Sequence, residues 1–258
     1  MKQVEKNAVG DGAFGDGALC RFLEWDSRFF GRNIACVTVE HLDVGQHEQV
    51  RLWCEDNAID CLYFLADSDG GNINRTQANG FCLRDVRVTL ELRRVVQEVE
   101  GALHSFGVAP YDPQDLHALR NLARISHRDT RFYRDGNFPT DLCDRLYETW
   151  IEKSCQGQAD AVFVARLDGQ AVGYVTCHLE ANNDVRAGSI GLVGVAAEAQ
   201  RKGFGQALIE TAVQWFDGRG VERITVVTQG HNVAAQRLYQ KCGFATCEVQ
   251  FWFHRWFA

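Results

Sequence analysis

The hydrophobic positions change period along this chain, and each change marks an element. Residues 1–18 hold no run with a period of 2 or 3.6 and include the near-repeat GDGAFGDGA at 10–18, so a mobile tail is expected there. Past Leu19 the pattern sharpens. Residues 34–39 read as a strand, and 46–57 as a helix with Val50, Trp53 and Cys54 on its apolar face. The short apolar run 62–65 reads as a buried strand, 72–79 as a short helix and the alternating stretch 86–92 as another strand. Phe29-Phe30-Gly31 reads as a packing turn between subdomains.

A second set follows a polar stretch at 93–99. It comprises a strand at 105–109, a helix at 113–126 with Leu116, Leu119 and Leu122, and a charged, aromatic segment at 127–136. A helix at 140–154 carries Leu142, Leu146, Trp150 and Ile151 at helical spacing. Strands are expected at 161–167, 171–179 and 189–195, then a helix at 205–217, a strand at 223–227, a helix at 233–242 and a last strand at 245–252. Strands and helices alternate after Ser189, which predicts parallel pairing there. The layout is α/β, divided into a small N-terminal α/β domain at 19–103 and a second domain at 104–258.

Composition narrows the class. With 46% hydrophobic and 24% charged residues the chain is not globally disordered, and its length supports a sizeable core without staples. A formal charge of −7 argues against a nucleic-acid partner, whose footprint would be basic. No apolar run approaches a membrane span and no secretory h-region opens the chain, so a cytoplasmic protein without a membrane partner is expected. The 10 cysteines include no C-x-x-C pair and read as reduced, mostly buried thiols.

The strongest local signal lies where the strand ending at Val193-Gly194-Val195 runs into Gln200-Arg201-Lys202-Gly203-Phe204-Gly205-Gln206 and an amphipathic helix. A helix N-terminus leaves backbone N–H groups unpaired and partially positive, and glycines let a ligand approach the backbone closely. That place suits a pyrophosphate, with Arg201 and Lys202 adding local charge. The loop is too long for a Rossmann turn, and the G-K-[S/T] of a Walker A loop is absent.

The spacing Gln200-x-x-Gly203-x-Gly205 resembles the Q/R-x-x-G-x-G/A signature of the GCN5-related N-acetyltransferase (GNAT) superfamily. Downstream, residues 232–244 are similar to that superfamily's N-x-x-A-x-x-L-Y-x-x-x-G-F, with Asn232, Tyr239 and Gly243 at the marked places. The resemblance covers the C-terminal part of the chain and implies the GNAT acyltransferase fold, a mixed, partly parallel twisted sheet flanked by helices. It implies acetyl-CoA as co-substrate and no metal. Residues Gln200, Arg201, Lys202, Gly203, Phe204, Gly205 and Gln206 would bind the pyrophosphate, Val193 and Val195 would pair with the pantetheine amides, and Asn232 would touch the CoA arm. Tyr239 would donate a proton to the departing thiolate. Two of these positions also carry a plainer reading: Asn232 stands where an N-cap belongs, and Tyr239 fits a core aromatic.

For the acceptor, the segments Trp25–Gly31, 131–135 and 146–154, with the N-terminal extension, resemble the dTDP-fucosamine acetyltransferase group. That resemblance implies transfer to the amino group of a nucleotide-linked amino-deoxysugar. Arg131 and Arg134 could pair with the acceptor diphosphate, and Phe132 or Tyr133 could stack on its base or sugar face; the plain alternative is a loop between two helices. A protein or peptide amine as acceptor and a non-enzymatic acetyl-CoA-binding module are the other two readings. His178, Glu180, Asp184 and His231 are candidate bases, none in a motif. The apolar strand Phe251-Trp252-Phe253 suits pairing across a homodimer.

Overall fold

The structure is a computed structural model that describes residues 18–93, 107–180 and 186–257. The expected tail, the boundary at 103/104, the first part of the strand at 105–109 and Asp184 fall outside the described residues.

The N-terminal segment holds β1 (Cys20–Phe22), α1 (Glu24–Phe30), β2 (Ile34–Val37), α2 (Val44–Asp56), β3 (Cys61–Ala66), α3 (Gly70–Ala78) and β4 (Cys82–Arg93). After it come β5 (Val108–Pro110), α4 (Leu116–Ser126), α5 (Arg131–Asp135), α6 (Thr140–Lys153), β6 (Ala161–Leu167), β7 (Gln170–Glu180) and β8 (Ala187–Val195). The last elements are α7 (Phe204–Asp217), β9 (Arg223–Gln229), α8 (Val233–Lys241) and β10 (Ala245–Trp256). Helix starts follow their local chemistry. At α2, Asp43 accepts from the Gln46 N–H and the Gln46 side chain accepts from the Asp43 N–H, both at 2.8 Å, a reciprocal cap.

All strands join one 10-stranded sheet in the order β1-β2-β3-β10-β4-β9-β8-β7-β6-β5. The segments expected as two domains therefore share a sheet. β10 pairs antiparallel with both β3 and β4, and β4 pairs antiparallel with β9. The parallel pairing expected after Ser189 occurs between β8 and β9, but β10 does not continue it. The physical reason is the insertion of β4 between β9 and β10, a long-range partner that local alternation does not announce. The same topology corrects the expected dimer strand. Phe251, Trp252 and Phe253 lie in an interior strand whose two edges are both taken, so they cannot pair across a homodimer.

Alternation in β3 feeds two separate apolar clusters: Cys61 and Tyr63 point to one face, Leu62 and Phe64 to the other. The larger cluster spans both chain segments. Phe29-Phe30-Gly31, expected as a turn, is the end of α1, closed by Gly31 in the left-handed region at φ 63°. The Phe30 ring lies 4.6 Å from Phe138 and 5.7 Å from Phe132, so α1 packs against the segment around α5. The cysteines described are all free thiols.

Candidate active site

β8 and β9 pair in parallel from Ala187↔Arg223 to Ile190↔Val226 and then separate. Beyond that point β8 stays with β7 through Val193 and Val195, whereas β9 stays with β4 as far as Gln229↔Arg87. Two neighbours that keep their outer partners and lose each other open a V in the sheet. A bulge in β8 lies at this point: between the pairs Val175↔Val193 and Cys177↔Ile190, Gly191 and Leu192 of β8 stand opposite Thr176 of β7. The Thr176 hydroxyl there accepts from the Leu192 N–H at 2.8 Å in place of a backbone carbonyl. A bulge of this kind bends and twists its strand pair. Gly194 permits close packing on the same strand, since a Cβ there would lie 2.7 Å from the Tyr174 ring.

The Gly-rich turn stands beside this V. Gln200 donates its side-chain amide to the Val195 carbonyl at 3.2 Å, which ties the turn to the strand end. Arg201 and Gly203 both take positive φ, 61° and 93°, and α7 begins at Phe204 without a side-chain cap. A helix that starts without a side-chain cap can turn first-turn N–H groups toward an anion. Arg201 and Lys202 are exposed beside them. Gly205 has a packing reason of its own, because a Cβ there would meet Leu238 of α8 at 3.2 Å. Asn232 caps α8 by accepting from the Ala235 N–H at 3.1 Å, as the plainer reading expects. Gln236 then fastens α8 to the end of β9 through the carbonyls of Gln229 and Gly230, at 3.0 and 2.9 Å. Tyr239 is buried with its ring 6.2 Å from Phe244, and burial pushes its phenol well above the usual range, so it keeps its proton.

On the sheet face that carries Asp85 and Arg87, a small pocket reaches the V at Val227, Thr228 and Gln229. β4, α5 and α6 wall it. Arg131 lies in this wall, with its guanidinium 4.2–4.3 Å from the ring centres of Tyr63, Phe132 and Trp252. Its Nη1 donates to His254 Nε2 at 2.8 Å, and His254 Nδ1 contacts Asp135. Burial holds His254 down at about 4, so it is neutral at pH 7, donating from Nδ1 to Asp135 and accepting at Nε2 from Arg131. Burial would raise the Asp135 carboxyl, but hydrogen bonds from His254, Asn137 and Trp256 outweigh it and hold the group at about 2. This buried network fixes α5 to β10. Tyr133 and Arg134 do not line the cavity: Tyr133 donates to Asp144 at 2.7 Å, and Arg134 donates to the Asp129 carbonyl at 3.3 Å.

Asp85 is the residue that sequence reading missed. It is buried in the cavity wall, accepts from the Val86 N–H at 2.8 Å and lies 3.8 Å from His231 Nδ1. Burial raises its carboxyl above the ordinary range, against the pull of the Val86 N–H and His231. No local motif marks it, because the strand register alone brings β4 beside the residues before His231. The other candidate bases are placed elsewhere. His178 is fully buried on β7, held neutral at about 4 chiefly by burial, and Glu180 pairs opposite Ala187, at the end of β8 away from the V. A wider polar cleft of about 430 Å³ continues from the cavity along the same face, sharing Arg87 and Val227 with it.

Comparison with known proteins agrees with this geometry. Residues 117–244 match the model of the acetyltransferase (GNAT) family. The dTDP-fucosamine acetyltransferase of Escherichia coli is 28% identical over 236 residues, 90% of this chain and 96% of that protein. The spore coat polysaccharide biosynthesis protein SpsD of Bacillus subtilis is 25% identical over 151 residues, 58% of this chain and 51% of that protein. Among solved structures, a GCN5-related N-acetyltransferase from Kribbella flavida shares the fold with a TM-score of 0.61 at 14% identity, over 98% of this chain and 91% of that one. The splayed strands, the Gly-rich turn ahead of α7 and the family match together make this chain an acetyl-transferring enzyme of the GNAT family.

Proposed function

We propose that the chain transfers an acetyl group from acetyl-CoA to the amino group of a nucleotide-linked amino-deoxysugar, by direct attack in a ternary complex. The observation that carries this reading is the meeting of the V with a small pocket that continues into a polar cleft. A wall built from β4, α5 and α6 bounds the acceptor side, and the adjoining cleft of about 430 Å³ gives room for a small acceptor. The name of the Escherichia coli relative, which aligns over nearly its whole length, points the same way. In this reading residues 104–258 supply the acetyl-donor side, and the N-terminal unit at 19–103 supplies the acceptor wall through β4.

Acetyl-CoA supplies the acetyl group as an activated thioester. The free edge of β8 at Val193 and Val195 offers backbone groups to the pantetheine amides, as an added strand would use them. Backbone N–H groups from Gln200 to Gln206 hold the pyrophosphate, with Arg201 and Lys202 adding charge. Asn232 touches the CoA arm from the start of α8 with the amide donor its capping role leaves over. Asp85, backed by His231, takes a proton from the acceptor ammonium and frees the lone pair that attacks. Tyr239, kept protonated by burial, gives its proton to the departing thiolate and is reprotonated by the second nitrogen proton, released as the amide forms. Arg131 bounds the acceptor from the inner wall, while Tyr133 and Arg134 act on it only by holding α5 in place.

The test is a thiol-release screen with acetyl-CoA and a panel of nucleotide-linked amino-deoxysugars, free amino sugars and short peptides. Turnover confined to the nucleotide-linked acceptors is expected. Preferential turnover of peptides would replace this reading with a protein acceptor, and acetyl-CoA binding without turnover of any amine would make the chain a binding module.

A further inference from the structure

Arg87 is a buried charge without an ion-pair partner among the described residues. It is 3% exposed, in the middle of β4. A guanidinium stays protonated and has five N–H donors. One hydrogen bond satisfies it: Nη1 donates to Gln250 Oε1 at 2.8 Å. Its Nε is buried with no acceptor among the described residues. The residues directly opposite it, Gln250 on β10 and Gln229 on β9, are both neutral amides.

The carboxylates on the same face are engaged elsewhere. Asp85 accepts from the Val86 N–H, Glu248 accepts from Thr89 at 3.4 Å, and Glu91 pairs with Arg93 and Arg223 at 2.8 and 3.1 Å. Gln250 is itself oriented, because its Nε2 donates to Glu40 Oε1 at 2.9 Å and so turns its oxygen toward Arg87. Proteins rarely bury an ionised group unpaired, because desolvation then goes uncompensated. The side chain borders both the small pocket and the wider cleft, so the missing partner is one that arrives through them.

We propose that Arg87 binds an oxyanion of the acceptor, and that Asp85, two residues away on the same strand face, faces its ammonium. Residues at this spacing stand about 7 Å apart along a strand, which sets the separation between amine and anion in the acceptor. The inference rests on the proposed function, on which the anion is the sugar-proximal phosphate. Arg131, the arginine expected from sequence for that task, is instead committed to its aromatic neighbours and His254.

The experiment is calorimetric binding of three unreactive probes to the full chain: a deoxynucleoside-diphosphate hexose without an amine, a uronate and a neutral hexose. The nucleotide-linked probe is expected to bind, and Arg87→Met to weaken it about 10- to 100-fold, the range for losing a charge-assisted hydrogen bond. Thermal melting and acetyl-CoA affinity report whether that variant is folded. Gln250→Glu gives a second route, since it sets a carboxylate against Arg87 and should reduce binding similarly without removing the side chain. Arg87-dependent binding of the uronate alone keeps the anion site and makes its ligand a carboxylate. Binding of both anionic probes that survives in folded Arg87→Met and in Gln250→Glu, or no binding of either by the native chain, overturns the proposal. Arg87-dependent binding in a protein that acetylates no amino sugar refutes the proposed function and leaves the anion site standing.

Discussion

The acceptor nitrogen sheds two protons in the proposed reaction and the departing sulfur gains one, and different residues serve the two ends. Tyr239→Phe keeps the ring packed on Phe244 and removes only the acidic proton. Turnover should fall about 10²-fold or more with acetyl-CoA affinity retained, measured by steady-state kinetics and calorimetry. Unchanged turnover would leave Tyr239 with a core role alone. Asp85 acts as base only when ionised, and burial raises its carboxyl, so the acid limb of the kcat/KM profile should lie above the ordinary carboxylate range. Asp85→Asn should lower kcat/KM about 10²-fold or more and flatten that limb. The same substitution should raise the melting temperature at neutral pH. Above the raised pKa the native state holds a poorly solvated charge that the unfolded chain exposes to water, and the gain should vanish once pH falls below the ordinary Asp value of about 3.9. A lower melting temperature with the pH profile intact would make Asp85 structural. Tyr239 and Asn232 were legible in the sequence because their spacing is local to one helix. Asp85 and Arg87 were not, because only the pairing of β4 with β9 and β10 brings them to the V.

Among the elements, the start of α7 carries the proposed donor side. Gly203 sits at φ 93°, which costs a non-glycine residue about 1–3 kcal/mol. Gly203→Asp adds both that strain and a carboxylate where the pyrophosphate is expected to lie. Gly203→Ala adds the strain alone, so the difference between the two variants reads out the charge. Gly203→Asp should lower acetyl-CoA affinity at least about 10²-fold while Gly203→Ala loses much less, with both still melting cooperatively. Equal losses in the two variants would assign the glycine to backbone geometry rather than to an anion cradle. The long elements were legible from their periods, as α4, α6, α7 and α8 show. α5 was not: five residues are too few to display a helical period. It is held by its contacts instead, with Asp135 bonded to His254 and Trp256 of β10 and Gly136 in the left-handed region closing it. α1 escaped for the same reason, since Phe30 finds its partners around α5 and not within its own segment.

For the whole molecule, the family match from 117 to 244 describes only part of the working unit. The insertion of β4 makes the N-terminal segment a structural part of the acetyltransferase sheet, and it supplies both residues proposed to grip the acceptor. Sequence alternation could not show this, because it reports which elements follow one another and not which strand fills a gap. Removing residues 1–93 would strip β4 from β9 and both β3 and β4 from β10, leaving β9 with an open edge and β10 with no strand partner. It would also take Tyr63 and Trp25 away from the cluster around Arg131 and Lys153. The fragment 94–258 is therefore expected to give no cooperative melt, to self-associate on size exclusion and to bind no acetyl-CoA, although it keeps Val193, the Gly-rich turn and Tyr239. The alternative outcome is equally concrete: a monomeric fragment that melts cooperatively and binds acetyl-CoA would show a donor unit that closes its own sheet. β4 would then be an acceptor module added to a finished fold, and Asp85 and Arg87 could be exchanged with it to change the acceptor without disturbing the donor side.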